Sequence, residues 1–377
     1  MLLLDRLRAA SGDYVPLDEL GPDLRRLRRE LDALATFGFG VEQHPYRGAA
    51  YRGPAERLCP DQIEHALATR RIGRRIAVWN RVTSTNDLAA RAGTSPFNDG
   101  LVILADEQTA GRGRRGRSWT APPRSSILMS VVLFPPRHLA TDVLEAAFGC
   151  AWLTALGAVA TAELVAAWTG RDTQIKWPND IRINGRKIAG ILVERMSAPA
   201  RPDMTGTTGE ISLARWGAVI GIGLNVNLNA DAFPPELAAG ATSMQIEAGG
   251  ESFDRSEVAR DLIRRLDDWY DASRTRGVEI LNAPWQARSE HLGRIVRIAT
   301  TTGSLKGRLM EIDLRFGLAL AIASEAVREP HDGNTFHVRR VPVADVLTLE
   351  EEPSDPVSRH YKVEPAEEDS RPCFDQF

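Results

Sequence analysis

Residues 175–191 read Ile-Lys-Trp-Pro-Asn-Asp-Ile-Arg-Ile-Asn-Gly-Arg-Lys-Ile-Ala-Gly-Ile. A Pro-Asn-Asp turn ends one strand and an Asn-Gly pair is typical of a tight turn between antiparallel strands, so this stretch predicts a β-hairpin. Only four of the 47 Lys and Arg residues are lysines, and two of them, Lys176 and Lys187, fall here. A GC-rich genome accounts for the arginine excess, but lysine supplies a compact point charge that a planar arginine does not. Both lysines are therefore candidate functional residues, with an ordinary surface hairpin as the simpler alternative.

A second unusual segment, Gly111 to Trp119, reads Gly-Arg-Gly-Arg-Arg-Gly-Arg-Ser-Trp and follows an apolar strand and Gln108. Arginine forks bind carboxylates and phosphates through paired hydrogen bonds, and glycines let the backbone approach an anion. So much like charge predicts a loop that is mobile when empty and ordered by an anionic ligand. The alternative is a solvated basic loop or an Arg-Gly-rich nucleic-acid tether, but such tethers usually lie in low-complexity tails.

Two shorter motifs add polar groups. Gly221-Ile222-Gly223-Leu224-Asn225 resembles half of a dinucleotide-binding fingerprint, but the third glycine and a suitably placed acidic residue are missing. Thr83-Ser84-Thr85-Asn86-Asp87 precedes a helical segment, where such residues cap a helix or offer neutral hydrogen bonds to an uncharged ligand. The sequence contains no GxxxxGK(S/T) phosphate loop, so a bound nucleotide would need another scheme.

The composition excludes several classes of protein. The 377 residues carry a formal net charge of −3 and are 43% hydrophobic, which excludes a histone-like protein and a highly charged disordered chain and predicts two or three domains. Three separated cysteines and seven scattered histidines predict a reducing compartment and no protein-built metal site. The apolar segment 146–162 predicts a buried helix, being shorter than the ~20 residues that cross a bilayer. We therefore expect a cytoplasmic protein with no membrane association.

The pattern along the chain predicts four regions. Residues 1–66 read as short helices and a hairpin, residues 67–290 as mixed strands and helices, and residues 291–350 as short strands between Gly-containing turns. Residues 351–377 read as an acidic disordered tail, and residues 197–216 as a flexible insertion. In the second region, strands are predicted at Leu101–Ala105, Ile127–Phe134, Ala189–Glu194 and Ala218–Val226, and an amphipathic helix at 258–270.

The four motifs resemble those of the biotin–protein ligase family, in the order in which they follow along the chain: Ser-Thr-Asn at 84–86, the Gly-Arg segment at 111–119, Lys-Trp-Pro-Asn-Asp at 176–180 and Gly-x-Gly-x-Asn at 221–225. The resemblance covers roughly residues 76–350 and includes every main motif. It implies an α/β fold, with a mixed-sheet α+β catalytic domain of the biotin/lipoate ligase type over 67–290 and a C-terminal SH3-like barrel over 291–350. For residues 1–66 it implies an N-terminal winged-helix-like domain.

The resemblance also implies a two-step reaction. Biotin attacks the α-phosphate of ATP to give biotinyl-5′-AMP and pyrophosphate, and the adenylate then acylates a lysine of the biotin carboxyl carrier protein of acetyl-CoA carboxylase. The catalytic residues implied are Lys176, which would bridge the biotin carboxylate and the α-phosphate, and Arg114. Fixed positive charge suits a step that brings two anions together.

The same motif positions imply the binding residues. Biotin would be bound by neutral hydrogen-bonding groups and by the closing loop, through Ser84, Thr85, Asn86, Gln108, Arg112, Gly113, Arg114 and Lys176. ATP would be bound by Arg114, Arg117, Trp119, Lys176 and Asn225, with Trp119 near adenine and Asn225 beside the phosphates. Mg²⁺ would be held mainly by nucleotide oxygens, so no protein metal ligands are expected. Lys187 and Arg339 are weaker candidates.

Other functions stay open at this point. Some bacterial relatives also repress biotin synthesis genes, but residues 1–66 are shorter than their winged helix by about one helical turn, and operator binding is not favoured. Residues 1–60 hold nine Arg against nine acidic residues, which leaves no net basic footprint for DNA. A lipoate–protein ligase shares the fold and chemistry, and a non-enzymatic nucleic-acid-binding protein would account for the arginine loop alone. A homodimer is open as well.

The bridging role of Lys176 predicts that Lys176→Arg abolishes adenylation. The substitution keeps the charge but replaces a point charge by a planar fork, which cannot sit between two anions in the same way. Biotin-dependent ATP–pyrophosphate exchange measures this step directly. A wild-type exchange rate in this variant would refute the bridging role.

The charge of the glycine–arginine loop (Gly111–Trp119) predicts that a ligand orders it. Limited proteolysis should cut the loop in the free protein and spare it once biotin or biotinyl-5′-AMP is added. Cleavage that is the same with and without ligand would contradict the prediction.

Overall fold

The protein is described by a computed structural model, which covers residues 2–135, 143–197, 216–323 and 336–352. It divides into two compact units, Met1–Glu290 with Asp313–Arg315, and His291–Ile312 with Phe316–Phe377. The expected flexible insertion 197–216 and acidic tail 351–377 lie almost entirely outside the described residues.

The chain begins with three helices and a hairpin: α1 (Leu2–Ala9), α2 (Leu17–Leu20), α3 (Leu24–Phe37), β1 (Gly40–His44) and β2 (Gly48–Gly53). The carboxylate of Asp23 caps α3 by accepting from the backbone N–H groups of Arg25 and Arg26, and Gly38 ends the helix in the left-handed conformation. The helices and hairpin enclose a small leucine core, which includes Leu7, Leu20, Leu27, Leu31 and Ala49. The helix and hairpin predicted from the sequence are confirmed here.

This segment is fastened to the rest of the first unit by ion pairs. The Arg8 guanidinium contacts Asp254 and lies 2.6 Å from Glu257. Gln62, in the short helix α4 (Pro60–Glu64), donates to the same two carboxylates at 2.7 and 2.9 Å. Residues 1–66 thus belong to the same compact unit as the sheet described next.

A seven-stranded mixed sheet forms the centre of the first unit. Its elements are β3 (Arg75–Trp79), α5 (Thr85–Ala92), β4 (Leu101–Ala105), β5 (Ser126–Leu133), α6 (Val143–Thr169), β6 (Gln174–Lys176), β7 (Asp180–Ile183), β8 (Arg186–Ser197) and β9 (Trp216–Asn225). The strand order is β3-β4-β5-β9-β8-β7-β6, with β3 and β4 parallel and every other pair antiparallel. The predicted strands and the 175–191 hairpin are confirmed.

Helix α6 covers one face of this sheet. Because strand residues alternate between faces, Ile220 and Ile191 point toward α6, where a Cβ placed on Gly157 would lie only 3.4 and 3.0 Å from them. Cys150–Thr169 has the length and hydropathy of a membrane span, but 67% of the window is buried inside the protein, as in a core helix. The predicted buried helix is confirmed.

After the sheet come α7 (Pro235–Ala238), α8 (Met244–Glu247), α9 (Arg255–Arg276) and α10 (Asn282–Arg288). Helix α9 is the predicted amphipathic helix and packs on α6, where Tyr270 stacks on Trp152 with ring centroids 6.0 Å apart. Its Asp267 is 2% exposed and accepts three backbone N–H groups, from Arg70, Arg71 and Ile72, at 2.6 to 2.9 Å. This carboxylate therefore holds residues 70–72, which lie shortly before strand β3.

The second unit contains a five-stranded antiparallel sheet. Its strands are β10 (Ile295–Thr300), β11 (Gly303–Asp313), β12 (Gly317–Ala323), β13 (Phe336–Val341) and β14 (Thr348–Glu351), in the order β13-β12-β11-β10-β14. Alternate residues such as Val296, Ile298 and Leu320 are buried. The short strands expected for 291–350 are confirmed, and Arg339 lies exposed on β13 opposite Leu320.

The neighbours Asp267 and Asp268 offer a matched test of this architecture. Asp267→Ala should lower the free energy of unfolding by about 3 kcal/mol, because three buried donors lose their acceptor. Asp268 has a 74% exposed side chain and only a 3.6 Å contact with Arg70, so Asp268→Ala should cost less than about 1 kcal/mol. Urea denaturation monitored by circular dichroism measures both, and equal losses would contradict the assignment.

Candidate active site

The face of the sheet turned away from α6, called the site face below, has small strand residues at its centre. Along β9 it presents Gly217, Val219, Gly221, Gly223 and Asn225, which alternate with apolar residues on the α6 side. Gly223 pairs with Gly190 on β8, Gly190 with Asp180 on β7, and Asp180 with Lys176 on β6. The sequence motifs therefore meet in one row across the sheet.

Two glycines on β9 allow other side chains to touch the strand. A Cβ on Gly221 would lie 2.2 Å from Oδ1 of Asn86, and one on Gly223 would lie 2.4 Å from the Trp119 indole. Both glycines lie inside a strand with antiparallel neighbours, not at a strand–helix turn. The Gly-x-Gly motif is thus a close-packing site, and the dinucleotide-fingerprint interpretation is excluded.

Neutral polar groups form a pocket at one end of the site face. The side-chain oxygen of Gln108 accepts from the backbone N–H and the hydroxyl of Thr85, at 2.7 and 2.9 Å. The Ser130 hydroxyl lies 2.8 Å from the Thr85 hydroxyl and 2.6 Å from Oδ1 of Asn86. Thr85, Asn86, Gln108 and Ser130 are named the polar pocket below.

Ser84 lies beside this pocket at the N-cap of α5. It is 2% exposed, yet its side chain makes no capping hydrogen bond. The Ser84 hydroxyl therefore does not cap α5, which was the simpler interpretation of the Ser-Thr-Asn motif. The structure places Ser84, Thr85, Asn86 and Gln108 together, as the sequence predicted.

The glycine–arginine loop closes on itself beside the pocket. The backbone N–H of Trp119 donates to Gly111 at 2.9 Å, and that of Gly113 donates to Arg117 at 2.6 Å. Arg115 adopts a left-handed conformation with φ 57° at the tip. The loop and the sheet residues Leu192 and Glu194 line a cavity of about 460 Å³, which lies in the usual size range of small-molecule sites.

The arginines of the loop have different partners. Arg112 lies 2.9 Å from Asp87 and 2.7 Å from Glu194. Arg114 donates to Oδ1 of Asn179 at 3.3 Å, which connects the loop to the 175–191 hairpin. Loss of hydration, and then the charge of Arg115, lowers the pKa of Arg114, although an arginine stays protonated at neutral pH. Arg117 has an exposed side chain.

Trp119 lies over the Gly190–Gly223 pair. Its indole N–H is buried without a hydrogen-bond partner among the described residues, so the group can serve a ligand. Nζ of Lys187 lies 5.6 Å from the ring centroid of Trp119 and 2.7 Å from Asp180. Lys187 is therefore paired with a carboxylate, in contrast to the solvated lysine of the simpler interpretation.

Lys176 ends strand β6 in the same row. It is partly exposed and forms no ion pair with a described residue, and two strand spacings, about 10 Å, separate it from Gly190. The following turn is held by Trp177, which stacks on Trp285 with centroids 5.2 Å apart. The Asn179 side chain donates to the Ile191 carbonyl at 2.9 Å. The Lys176 ammonium group is thus available to an anionic ligand, at the end of a strand whose following turn is held in place.

Two predicted residues are less open to a ligand. Asn225 is 5% exposed and its amide donates to the Thr242 carbonyl at 3.0 Å, so at least its N–H serves the fold. Arg339 belongs to the second compact unit, and its predicted approach to ATP stays a prediction.

Ser130 and Glu194 were not predicted from the sequence. Ser130 is a fully buried hydroxyl in the otherwise apolar run 127–134, and this run was a visible signal. Glu194 contacts both Asn86 and Arg112 at 2.7 Å, but its position at the end of an apolar run gave no sign of this. Among the described residues, no three His, Cys, Asp or Glu side chains come together as metal ligands.

Comparisons with known proteins agree with this geometry. A sequence model of the biotin/lipoate A/B protein ligase family matches residues 78–203. The chain is 33% identical over 298 residues to the biotin–[acetyl-CoA-carboxylase] ligase of Mycobacterium tuberculosis, covering 75% of this chain and 98% of that protein. It is 30% identical over 319 residues to the bifunctional ligase/repressor BirA of Bacillus spizizenii, covering 85% and 91%.

A solved structure shares the fold. The biotin protein ligase from Aquifex aeolicus, in complex with biotin and ATP, matches with a TM-score of 0.52 and 22% identity, covering 71% of this chain and all of that one. The mixed sheet therefore has the catalytic fold of the biotin/lipoate ligase type. With relatives this similar over most of their length, the chain belongs to the biotin–protein ligase family.

The two β9 glycines give a prediction for each half of the site. Gly221→Ala should displace Asn86 and weaken biotin binding by about tenfold or more, whereas Gly223→Ala should displace Trp119 and weaken ATP binding by a similar factor. Calorimetric titration with each ligand measures both constants.

Gly240→Ala is the matched control, since its Cβ would meet nothing closer than a carbonyl oxygen at 3.9 Å. It should bind both ligands as the wild type does. Thermal melting checks that each variant is folded. A folded glycine variant that loses affinity for biotin and for ATP equally would contradict the assignment of Gly221 to the biotin side and Gly223 to the ATP side.

Proposed function

We propose that this protein is an ATP-dependent biotin–protein ligase, which forms biotinyl-5′-AMP and transfers biotin to a lysine of a biotin carboxyl carrier protein. The observation that carries the proposal is the meeting of three features on one sheet face. These are a neutral polar pocket, an available lysine charge at Lys176 and a loop with four arginines.

The polar pocket suits the uncharged ureido ring of biotin. A cyclic urea offers N–H donors and one carbonyl acceptor, and Ser84, Thr85, Asn86 and Gln108 supply hydroxyl and amide groups of both kinds. The missing side chain at Gly221 lets Asn86 pack directly against the strand backbone, which holds its amide at a fixed height above the sheet. Because every group in the pocket is neutral, the carboxylate of biotin would instead be bound by Lys176 and the loop arginines.

The adenylation step requires positive charge where two anions meet. A biotin carboxylate oxygen forms a bond to the α-phosphorus of ATP, and the bond from that phosphorus to the pyrophosphate oxygen breaks. Lys176 would neutralise both reacting groups, while Arg112, Arg114 and Arg117 would hold the carboxylate and the phosphates. Fixed cations of this kind stabilise the charge of the transition state more than that of the separate substrates.

Trp119 and Asn225 are the residues proposed to contact the adenine and the phosphates of ATP. The unpartnered indole N–H of Trp119 is a donor for adenine, and the ring offers a stacking surface. Asn225 would lie beside the phosphates through the oxygen of its amide. Mg²⁺ would arrive with ATP, held mainly by phosphate oxygens, and would neutralise phosphate charge.

The transfer step needs an accessible acyl carbonyl and protection from water. The amine of the carrier lysine attacks the carbonyl carbon of the mixed anhydride, and AMP leaves as the amide forms. The glycine–arginine loop would cover the adenylate until the carrier arrives, because a mixed anhydride hydrolyses readily in water. The carrier subunit of acetyl-CoA carboxylase is the proposed acceptor, which the name of the mycobacterial relative supports.

The remaining assignments are part of the same proposal. Residues 1–66 would form a winged-helix-like domain, 67–290 the catalytic domain, 291–350 an SH3-like domain and 351–377 a tail, in a cytoplasmic protein. Helices α1–α3 with the β1–β2 hairpin are consistent with the first assignment. Operator binding is an alternative second function: similarity to the ligase/repressor BirA favours it, whereas the balanced charge of residues 1–60 does not.

One assay tests the ligase and its nearest rival. The protein should catalyse ATP–pyrophosphate exchange with biotin and not with lipoate, and should then label an added carrier domain. Exchange only with lipoate would establish a lipoate ligase instead. No exchange with either acid would overturn the enzyme assignment and favour a nucleic-acid-binding role.

A gel-shift assay tests the second function separately. With equal numbers of Arg and acidic residues in residues 1–60, we expect no retardation of the protein's own biotin-operon promoter, with or without biotinyl-5′-AMP. Sequence-specific retardation that requires the adenylate would establish the bifunctional assignment.

A further inference from the structure

Glu194 connects the two halves of the biotin side of the site. Its Oε2 accepts from Nδ2 of Asn86 at 2.7 Å and from the Arg112 guanidinium at 2.7 Å. Asn86 belongs to the polar pocket on α5, and Arg112 belongs to the glycine–arginine loop. A single carboxylate oxygen on β8 thus joins the rigid pocket to the loop that closes the site.

The bond to Glu194 fixes the orientation of the Asn86 amide. Oδ1 of this 4% exposed residue lies 2.6 Å from the Ser130 hydroxyl, while its nitrogen donates to Glu194. If the amide exchanged its oxygen and nitrogen positions, Ser130 could still bond it because a hydroxyl both donates and accepts, but Oδ1 would then face the Glu194 carboxylate, which can only accept. Glu194 therefore determines which group Asn86 presents to a ligand in the pocket.

The bond to Arg112 holds the loop by charge. Arg112 has a second carboxylate partner, Asp87, at 2.9 Å, and no hydrogen bond from Asp87 to Asn86 exists among the described residues. Asp87 thus contributes to holding the loop, whereas Glu194 contributes to both the loop and the pocket. Arg112 in turn neutralises Glu194, which would otherwise repel the carboxylate of a bound acid.

We propose that Glu194 is a positioning residue that couples the filling of the polar pocket to the closure of the glycine–arginine loop. The proposal rests on the ligase function proposed above and names the group that keeps the adenylate covered. Loss of the charge of Glu194 releases Arg112, so the loop opens more often and the adenylate hydrolyses before transfer. Loss of the whole side chain also frees the Asn86 amide and weakens biotin binding.

The three variants Glu194→Gln, Glu194→Ala and Asp87→Asn separate these effects. Glu194→Gln keeps an acceptor for Asn86 and removes the ion pair, so adenylate hydrolysis without carrier should rise about tenfold while KM for biotin changes less than about threefold. Glu194→Ala should raise hydrolysis and also raise KM for biotin by about tenfold. Asp87→Asn should raise hydrolysis less than Glu194→Gln and leave KM for biotin unchanged.

The measurements are KM and kcat in pyrophosphate exchange, AMP release without carrier, and limited proteolysis of the loop with and without biotin. Glu107→Gln is the matched control, because Glu107 forms an ion pair of ordinary length with Arg81, 3.1 Å, outside the proposed binding residues. It should match the wild type in every readout. Thermal melting checks that each variant is folded.

Each outcome decides between the alternatives. Folded Glu194 variants with wild-type hydrolysis, or with a lower kcat but no extra hydrolysis and no loop cleavage, would overturn the coupling while leaving the ligase function in place. A wild-type protein without biotin-dependent exchange would overturn the ligase function and the coupling together.

Discussion

The whole arrangement depends on a steric constraint on strand β9, which must bury large apolar side chains on the α6 face and carry none where Asn86 and Trp119 pack on the opposite face. Strand β9 meets it by alternation: Ile220 and Ile222 face α6, whereas Gly221 and Gly223 leave the backbone open to Asn86 and Trp119. A methyl group at either glycine would occupy space that is already filled. The strand that anchors the hydrophobic core is therefore also the floor of the binding site.

The charges around this floor follow the same arrangement on its two sides, where a cation paired with a carboxylate lies near one that is available. In the row toward β6, Lys187 is paired with Asp180, and Lys176 is left without a described partner. In the loop, Arg112 is held by two carboxylates while Arg117 is exposed. Paired cations keep the structure in place, and the available ones can meet an anionic substrate without first breaking an ion pair.

The sequence predicted those features that depend on neighbours in the chain. The hairpin at 175–191, the apolar strands and the amphipathic helix at 258–270 follow from local turn chemistry and periodicity. Glu194 could not be found this way, because its partners lie 108 and 82 residues away and the chain offers many other glutamates. The same holds for Arg8 and Glu257, 249 residues apart. Asn225 was correctly placed next to the glycines, but the bond of its amide to Thr242 depends on a distant loop.

The ion pairs of Arg8 have a consequence for loss of the N-terminal segment. Asp254 caps α9 and, with Glu257, also receives Arg8 and Gln62. Deletion of the first helix would leave two carboxylates beside each other with fewer cations, at the start of a helix that supports the sheet. Loss of this segment would therefore carry a cost in stability that is independent of any contact with DNA.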